Sequence, residues 1–337
     1  MVRVNLIARD NGFGLSRHLS LLQDALDGAG FAVTISGIRR GALCKALRPL
    51  ALRGGTFARR MSGRGVQRWD VNLMLERIRP EYLPTARRNV LVPHPEWFDA
   101  RDRAWLPRLD RAFALTHHAV PIFESLGVPV DYTGFTSADR LDATVPRERA
   151  FFHLAGRSRN KGTGTLLAVW RRHPEWPRLT VLQDPRSAQA VPVAPNIVHR
   201  VDYIADAELQ HIQNAHRFHL CPSETEGFGH YLVEAMGVGA VVITIDAPPM
   251  NEMVTPARGA LIPFARTGAQ ALATTYFYDE SALETVVERL LDTPDGELDR
   301  IGTAARAWFE DNDRAFRTRI GEAVRALVEA SSPDGAA

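Results

Sequence analysis

The chain has 337 residues, 45% of them hydrophobic and 24% charged, with a formal net charge of +2. That length and balance suit two globular domains, each with its own core. They exclude a chain drawn to polyanions by net charge alone. No run of eighteen apolar residues occurs, which excludes a membrane-spanning helix.

Residues 2–8 read as a first strand, being too short and too soon followed by polar residues for a signal peptide. Further strands are expected near 31–36, 70–75, 89–93, 111–115 and 129–133, with helices between them, notably 16–29 and 117–126. The less patterned stretch 134–149 follows, and then the alternation restarts. Strands are expected at 151–155, 179–183, 196–200, 216–221 and 240–245, with helices at 163–173, 206–214 and 230–238. Residues 281–330 read as helices, and the last few residues as frayed. Short apolar runs alternating with amphipathic stretches mean parallel α/β architecture. The expected fold is therefore two Rossmann-like domains. The boundaries are 1–145 and 146–315, with 316–337 a C-terminal helix and tail packing back on the first domain.

Cys44 and Cys221 lie far apart and make no metal spacing, so a reduced, cytoplasmic setting is expected. From Gly28 to Trp69 there is no acidic residue. The same stretch holds Arg39, Arg40, Lys45, Arg48, Arg53, Arg59, Arg60, Arg64 and Arg68. Such a field suits phosphates, an anionic lipid surface or an acidic acceptor, and equally a solvated face balanced elsewhere.

In doubly wound sheets ligands sit beyond the carboxyl ends of the strands, so four post-strand segments carry the candidates. The first contains Gly12 and Gly14, which allow close backbone approach before a helix. It is not a dinucleotide fingerprint. Its third glycine position is Arg17, and the second strand ends in Ser36-Gly37 rather than an acid. The second runs from Ala155 to Thr163, with Arg157 and Lys161 where helix amides would point. That suits a diphosphate, or is a basic surface turn. Its order Lys161-Gly162-Thr163 excludes a Walker loop. The third runs from Cys221 to Met236. Gly227, Phe228 and Gly229 open a helix, Glu226 stands in the loop, and Glu234 lies about one turn into the helix. Carboxylates accept bonds from diols well, so two acids there suit a sugar on one side of a diphosphate and a ribose on the other. The plain alternative is a helix start with acids favouring its positive end. The fourth is Val92 to Phe98, where His94 and Glu96 stand among prolines and aromatics at a strand end.

On these residues the chain resembles the GT-B nucleotide-sugar glycosyltransferases of the group 1, GT4-like branch, most strongly from His153 to about Gly259. Glu226 to Glu234 resembles that family's E-x7-E signature, and Arg157 with Lys161 its basic loop. The Gly12–Gly14 turn matches by position. The resemblance implies two domains facing across a cleft and transfer of a sugar from a nucleoside-diphosphate sugar, with retention and without metal or other cofactor. It implies Arg157 and Lys161 on the pyrophosphate, Glu226 on the donor sugar and Glu234 on the ribose. Phosphates are assisted by the amides of Gly227, Phe228, Gly229 and His230, and His94 lies near the reacting carbon. Glu96, Asn251 and Glu252 are further donor contacts. Asp246 to Met253 departs from the family's glycine-rich turn, its Pro248-Pro249 pair stiffening the loop. Partners would be the nucleotide-sugar and an acceptor such as a glycan or lipid-linked saccharide, in polysaccharide biosynthesis. The stretch 39–68 would give peripheral contact with an anionic inner membrane face. Rival readings are a GT-B sugar-nucleotide epimerase and a non-catalytic nucleotide-sugar-binding protein.

Overall fold

The computed structural model describes residues 1–9, 14–38, 42–63, 65–188 and 194–330. Gly12, Arg39, Arg40 and Arg64 lie outside the described residues, as does the side chain of Lys45. The chain forms two compact units. The first is Met1–Phe135 with Asp313–Ala337, and the second is Thr136–Asn312.

The first unit runs β1 (Arg3–Ala8), α1 (Gly14–Gly28), β2 (Ala32–Gly37), α2 (Ala42–Met61), β3 (Trp69–Leu75), β4 (Ala86–Val92), β5 (Arg111–Ala114), α3 (Ala119–Glu124) and β6 (Val130–Tyr132). The strands form one parallel sheet in the order β2-β1-β3-β4-β5-β6. β1, β3 and β4 carry their charges at the amino end and are apolar beyond it, except for one asparagine each near the middle. Those asparagines form a buried ladder. Asn5 Nδ2 donates to Asn72 Oδ1 at 2.9 Å, and Asn72 Nδ2 donates to Asn89 Oδ1 at 3.0 Å. Ser36 on β2 donates to Asn5 Oδ1 at 2.7 Å, and Asn89 Nδ2 donates to the Leu83 carbonyl at 3.1 Å. Asn5 faces Asn72, and Asn72 faces Asn89, in the strand register. A slip by one residue would strand these amides against aliphatic side chains, so the ladder opposes misregistration.

The second unit runs β7 (Glu148–Gly156), α4 (Thr163–Arg172), β8 (Leu179–Gln183), β9 (Ile197–Arg200), α5 (Asp206–Ala215), β10 (His216–Leu220), α6 (His230–Gly237), β11 (Val241–Ile245), α7 (Met250–Met253), β12 (Gly259–Ile262), β13 (Phe264–Gln270), β14 (Ala273–Tyr278), α8 (Glu280–Asp292) and the start of α9 (Asp295–Glu329). Its parallel sheet has the order β12-β11-β10-β7-β8-β9, and β13 and β14 form a separate antiparallel pair. Phe151, Phe218 and Trp170 fill the core between sheet and helices. The Phe151 and Phe218 rings stack at 4.6 Å.

The units divide ten residues before the expected boundary at 145. The reason is local bonding: Arg140 pairs with Asp206 at 3.0 Å, and Asn214 Nδ2 donates to the Arg140 carbonyl at 2.7 Å. These tie 136–147 to α5. At the other end, α9 enters the first unit at Asp313. There Phe316 packs on Phe135 at 4.8 Å, Arg319 Nε donates to the Thr133 carbonyl at 2.9 Å, and Arg325 donates to that of Ala29 at 2.9 Å. α7, β12 and the β13–β14 hairpin have no counterpart among the expected elements, and α2 answers only to the general expectation of helices between strands.

Replacing Asn72 by alanine leaves Asn5 and Asn89 with buried amide atoms lacking partners. At about 1–3 kcal/mol for each such group, the variant is expected to lose about 2–5 kcal/mol of stability, read by urea denaturation. A loss within about 0.5 kcal/mol of zero would show that the ladder does not hold the sheet.

Candidate active site

The order of the second sheet places its switch point between β7 and β10, because the chain leaves β7 toward β8 on one side and β10 toward β11 on the other. The loops after β7 and β10 therefore open a crevice at the sheet's carboxyl edge. These are the two segments that hold Arg157, Lys161 and Glu226.

A buried histidine sets this seam. His153, on β7, is fully buried. Its Nδ1 lies 2.8 Å from the Leu220 carbonyl on β10, and its Nε2 lies 2.9 Å from Thr163 Oγ1 at the start of α4. A carbonyl only accepts, so Nδ1 carries the proton and Nε2 accepts from the threonine hydroxyl. Burial pushes its pKa down to about 4, with Lys161 adding in the same direction, so the ring is neutral at pH 7. The loop itself turns on Gly162, whose φ of +63° is left-handed. A β-carbon there would stand 2.9 Å from the Pro222 carbonyl. The two loops are also joined directly, by Glu224 N donating to the Asn160 carbonyl at 2.9 Å.

Lys161 and Glu226 meet across this seam, Nζ to Oε1 at 2.5 Å. Ser223 Oγ donates to the same Oε1 at 2.5 Å and in turn receives from the Tyr231 hydroxyl. Lys161 Nζ lies 3.4 Å from the centre of the Tyr231 ring, a cation–π contact. The resemblance places Lys161 on phosphate and Glu226 on sugar. The structure makes them partners first, so a ligand phosphate here would share a lysine already held by a carboxylate. Arg157 is similarly oriented, its Nε donating to Asp184 Oδ2 at 2.8 Å. Asp184 follows β8, and nothing in the sequence pattern marked it.

Gly229, with φ +93°, begins α6 in the left-handed conformation, and a β-carbon there would press on Leu232 Cδ1 at 2.6 Å. α6 opens beside Glu226, whose Cγ would lie 3.5 Å from a β-carbon at Gly229, and the Gly229 carbonyl accepts from Leu232 N at 3.0 Å and Val233 N at 3.2 Å. Gly227 and Phe228 are buried, the Phe228 ring packing edge-on to His230 at 5.4 Å. Glu234 is fully buried, and its Oε2 accepts from Gln213 Nε2 at 3.1 Å. Gln213 Oε1 accepts from Arg140 Nε. The carboxylate that the resemblance assigns to the ribose is thus buried and held by Gln213. Asn251 and Glu252 lie on α7, beyond β11, and Asn251 Nδ2 donates to Asp246 Oδ1 at 3.0 Å.

The hairpin missed in the sequence borders these loops. Tyr276 N donates to the Glu224 carbonyl at 2.7 Å, Asn160 Nδ2 to Gln270 Oε1 at 2.6 Å, and the Tyr278 hydroxyl to the Gly162 carbonyl at 3.3 Å. The unbroken run of β-branched and aromatic residues Thr274, Thr275, Tyr276, Phe277 and Tyr278 was its available signal.

In the first unit the switch point lies between β1 and β3. Gly14 begins α1 there. Glu76 follows β3 with φ +65°, a left-handed conformation rare for a residue other than glycine. Burial raises its pKa, against the opposing pull of Arg77, Arg79 and Arg9. Neither feature was legible in the sequence. His94 and Glu96 follow β4, both buried. Among the described residues His94 Nδ1 has no hydrogen-bond partner, and its ring lies 5.0 Å from that of His18. Burial pushes its pKa down to about 4.

Residues 194–307 match the family of glycosyl transferases group 1. Across its whole length the chain is similar to sucrose-phosphate synthase from Thermosynechococcus elongatus, at 15% identity and a TM-score of 0.69, covering 98% of this chain and 100% of that one. It is likewise similar to HepE of Anabaena in complex with UDP-glucose, at 13% identity and a TM-score of 0.70, over 97% and 100% of the two chains. A third is the lipopolysaccharide outer core galactosyltransferase WaaB, at 12% identity and a TM-score of 0.65, over 97% and 99%. No curated protein matches it in sequence. These likenesses define the GT-B fold. The family match lies in the second unit, and together with the fold it makes the chain a glycosyltransferase.

Two outcomes are expected. Gly162→Ala strains a left-handed residue against a carbonyl, and should cost about 1–3 kcal/mol with weakened ligand binding, measured by thermal melting and titration. His94 and His153 bind protons more weakly folded than unfolded, near 6.5. Their contribution to stability is therefore full above about pH 6.5 and lost as pH falls toward 4. His153→Gln should flatten the decline of melting temperature between pH 7 and 5, and an unchanged slope would refute the neutral assignment.

Proposed function

We propose that this glycosyltransferase takes its sugar from a nucleoside-diphosphate sugar, held at the β7–β10 seam, with retention and without a metal. The observation that carries the reading is the meeting of Lys161, Glu226 and the opening of α6 at a sheet switch point, with Arg157 oriented on the same loop. Arg157 and Lys161 stabilise the negative charge that grows on the pyrophosphate as the glycosidic bond breaks, and so take the part a metal plays elsewhere. The α6 amides from Gly227 to His230 add to that field. Glu226, oriented by Ser223 and Lys161, accepts bonds from donor-sugar hydroxyls. Glu234 serves the ribose side, its carboxylate aimed by Gln213. Asn251 and Glu252 are further donor contacts.

In the first unit, a neutral His94 positions the donor or polarises a hydroxyl, with Glu96 beside it. Gly14, where α1 begins, lets the backbone approach the ligand. UDP-glucose is the first donor to test, because the HepE structure similar to this chain holds it. The acceptor is a glycan or lipid-linked saccharide, and the cation-rich stretch 39–68 faces an anionic surface.

Thermal-shift titration with a panel of nucleoside-diphosphate sugars, followed by product analysis with an acceptor present, tests this. Stabilisation by none of the panel would overturn the donor site, and donor conversion without acceptor would favour an epimerase. Glu226→Ala should lower turnover by about 10²-fold or more while circular dichroism stays unchanged. Arg157→Ala should raise the donor KM and lower kcat together, since it meets charge in both ground and transition states. Wild-type turnover in either variant would refute its role.

A further inference from the structure

Helix α2 is amphipathic in the wrong sense for a helix that only packs on its own domain. Leu47, Leu50, Gly54, Phe57 and Met61 recur at steps of three and four residues and so form one stripe. A surface helix normally turns such a stripe inward. Here Leu47 is 51%, Leu50 62%, Phe57 65% and Met61 72% exposed. Ala51 and Ala58 on the same side are exposed too. The helix rests on its unit by the opposite side, through half-buried Pro49, Leu52 and Thr56, and is pinned there by Arg48 to Glu81 at 3.2 Å.

Arginines flank the outward stripe. Arg53 and Arg60, seven residues apart and exposed, line one edge, while Arg59 lies on the packed side, its Nε donating to the Gly65 carbonyl at 3.2 Å. No acidic residue occurs between Gly28 and Trp69. The charge pattern selects the occupant. A second copy laid antiparallel on this face would bring the two arginine edges together. An anionic lipid surface instead accepts the apolar stripe at the acyl boundary while the guanidinium groups meet lipid phosphates. No described helix is long and apolar enough to cross a membrane, so the contact is interfacial.

We propose that α2 is a membrane-docking helix that inserts Leu47, Leu50, Phe57 and Met61 into an anionic leaflet. It rests on the reading of stretch 39–68 as facing an anionic surface, and not on the donor site. It adds a salt-resistant apolar component to that reading, and it makes a lipid-linked acceptor the natural substrate class.

Cosedimentation of the full chain with vesicles tests it, comparing phosphatidylcholine alone with phosphatidylcholine containing phosphatidylglycerol. Wild-type protein is expected to bind only the anionic vesicles, and to stay partly bound in high salt because insertion is not screened. L50S/F57S should weaken binding by about tenfold or more and abolish the salt-resistant fraction, since two buried side chains are lost. R53E/R60E should weaken it at low salt by about tenfold or more. Melting temperature and UDP-glucose-induced thermal shift should be unchanged in both variants, because the replaced side chains are exposed and belong to the first unit.

Absence of wild-type binding to anionic vesicles would overturn both insertion and the anionic-surface reading. Binding lost in R53E/R60E but intact in L50S/F57S would overturn insertion alone. A wild-type dimer in sedimentation velocity that L50S/F57S dissociates would assign the face to a second copy instead.

Discussion

Two hydrogen bonds from one neutral imidazole organise the second unit's site. His153 ties β7 to the last carbonyl of β10 and to the first residue of α4, and these are the elements whose loops hold the candidate residues. The bonds require the Nδ1 proton and an unprotonated Nε2 at once, and full burial maintains that state. With the two strand ends held together, Gly162 can pass close to the Pro222 carbonyl, and Lys161 reaches Glu226. A charged imidazole would lose the acceptor at Thr163, so the loop geometry depends on a side chain that takes no part in chemistry.

The same economy of charge runs through the site. Lys161 is paired with Glu226 and Arg157 with Asp184. Neither cation is left isolated in a half-buried crevice, where its desolvation would be costly. A diphosphate adds charge of the opposite sign to cations already held in place, so little side-chain freedom remains to be lost on binding. The first unit is built differently. Its asparagine ladder holds strand register, while Glu76 keeps a backbone conformation that costs energy at the sheet's switch point. Such strain persists where the surroundings impose it, here next to three arginines.

Most of the central strands were legible because parallel strands buried on both faces leave apolar runs such as Leu73 to Leu75 and Val241 to Ile243. Both glycine-rich loop motifs were legible because left-handed residues at Gly162 and Gly229 admit little else. Helix α2 was not, since Pro49, Gly54 and Gly55 all lower helix propensity and masked its period. β12 and the hairpin were not, because their strands are short or exposed: β13 shows almost no burial along its length. The asparagines of the ladder read as interruptions of apolar strands until register set them side by side.

Composition and local pattern alone thus determined the α/β class, the sheet strands near the core, the cationic stretch and the chemistry of the two loops after β7 and β10. These follow from period, glycine stereochemistry and side-chain charge, which are properties of neighbours in the chain. Tertiary structure decided that Lys161 binds Glu226, that Asp184 orients Arg157, that Glu234 is buried against Gln213, and that the apolar side of α2 faces outward. Each of these depends on residues brought together from distant parts of the chain, or on which face of an element is covered. No spacing along the sequence encodes either.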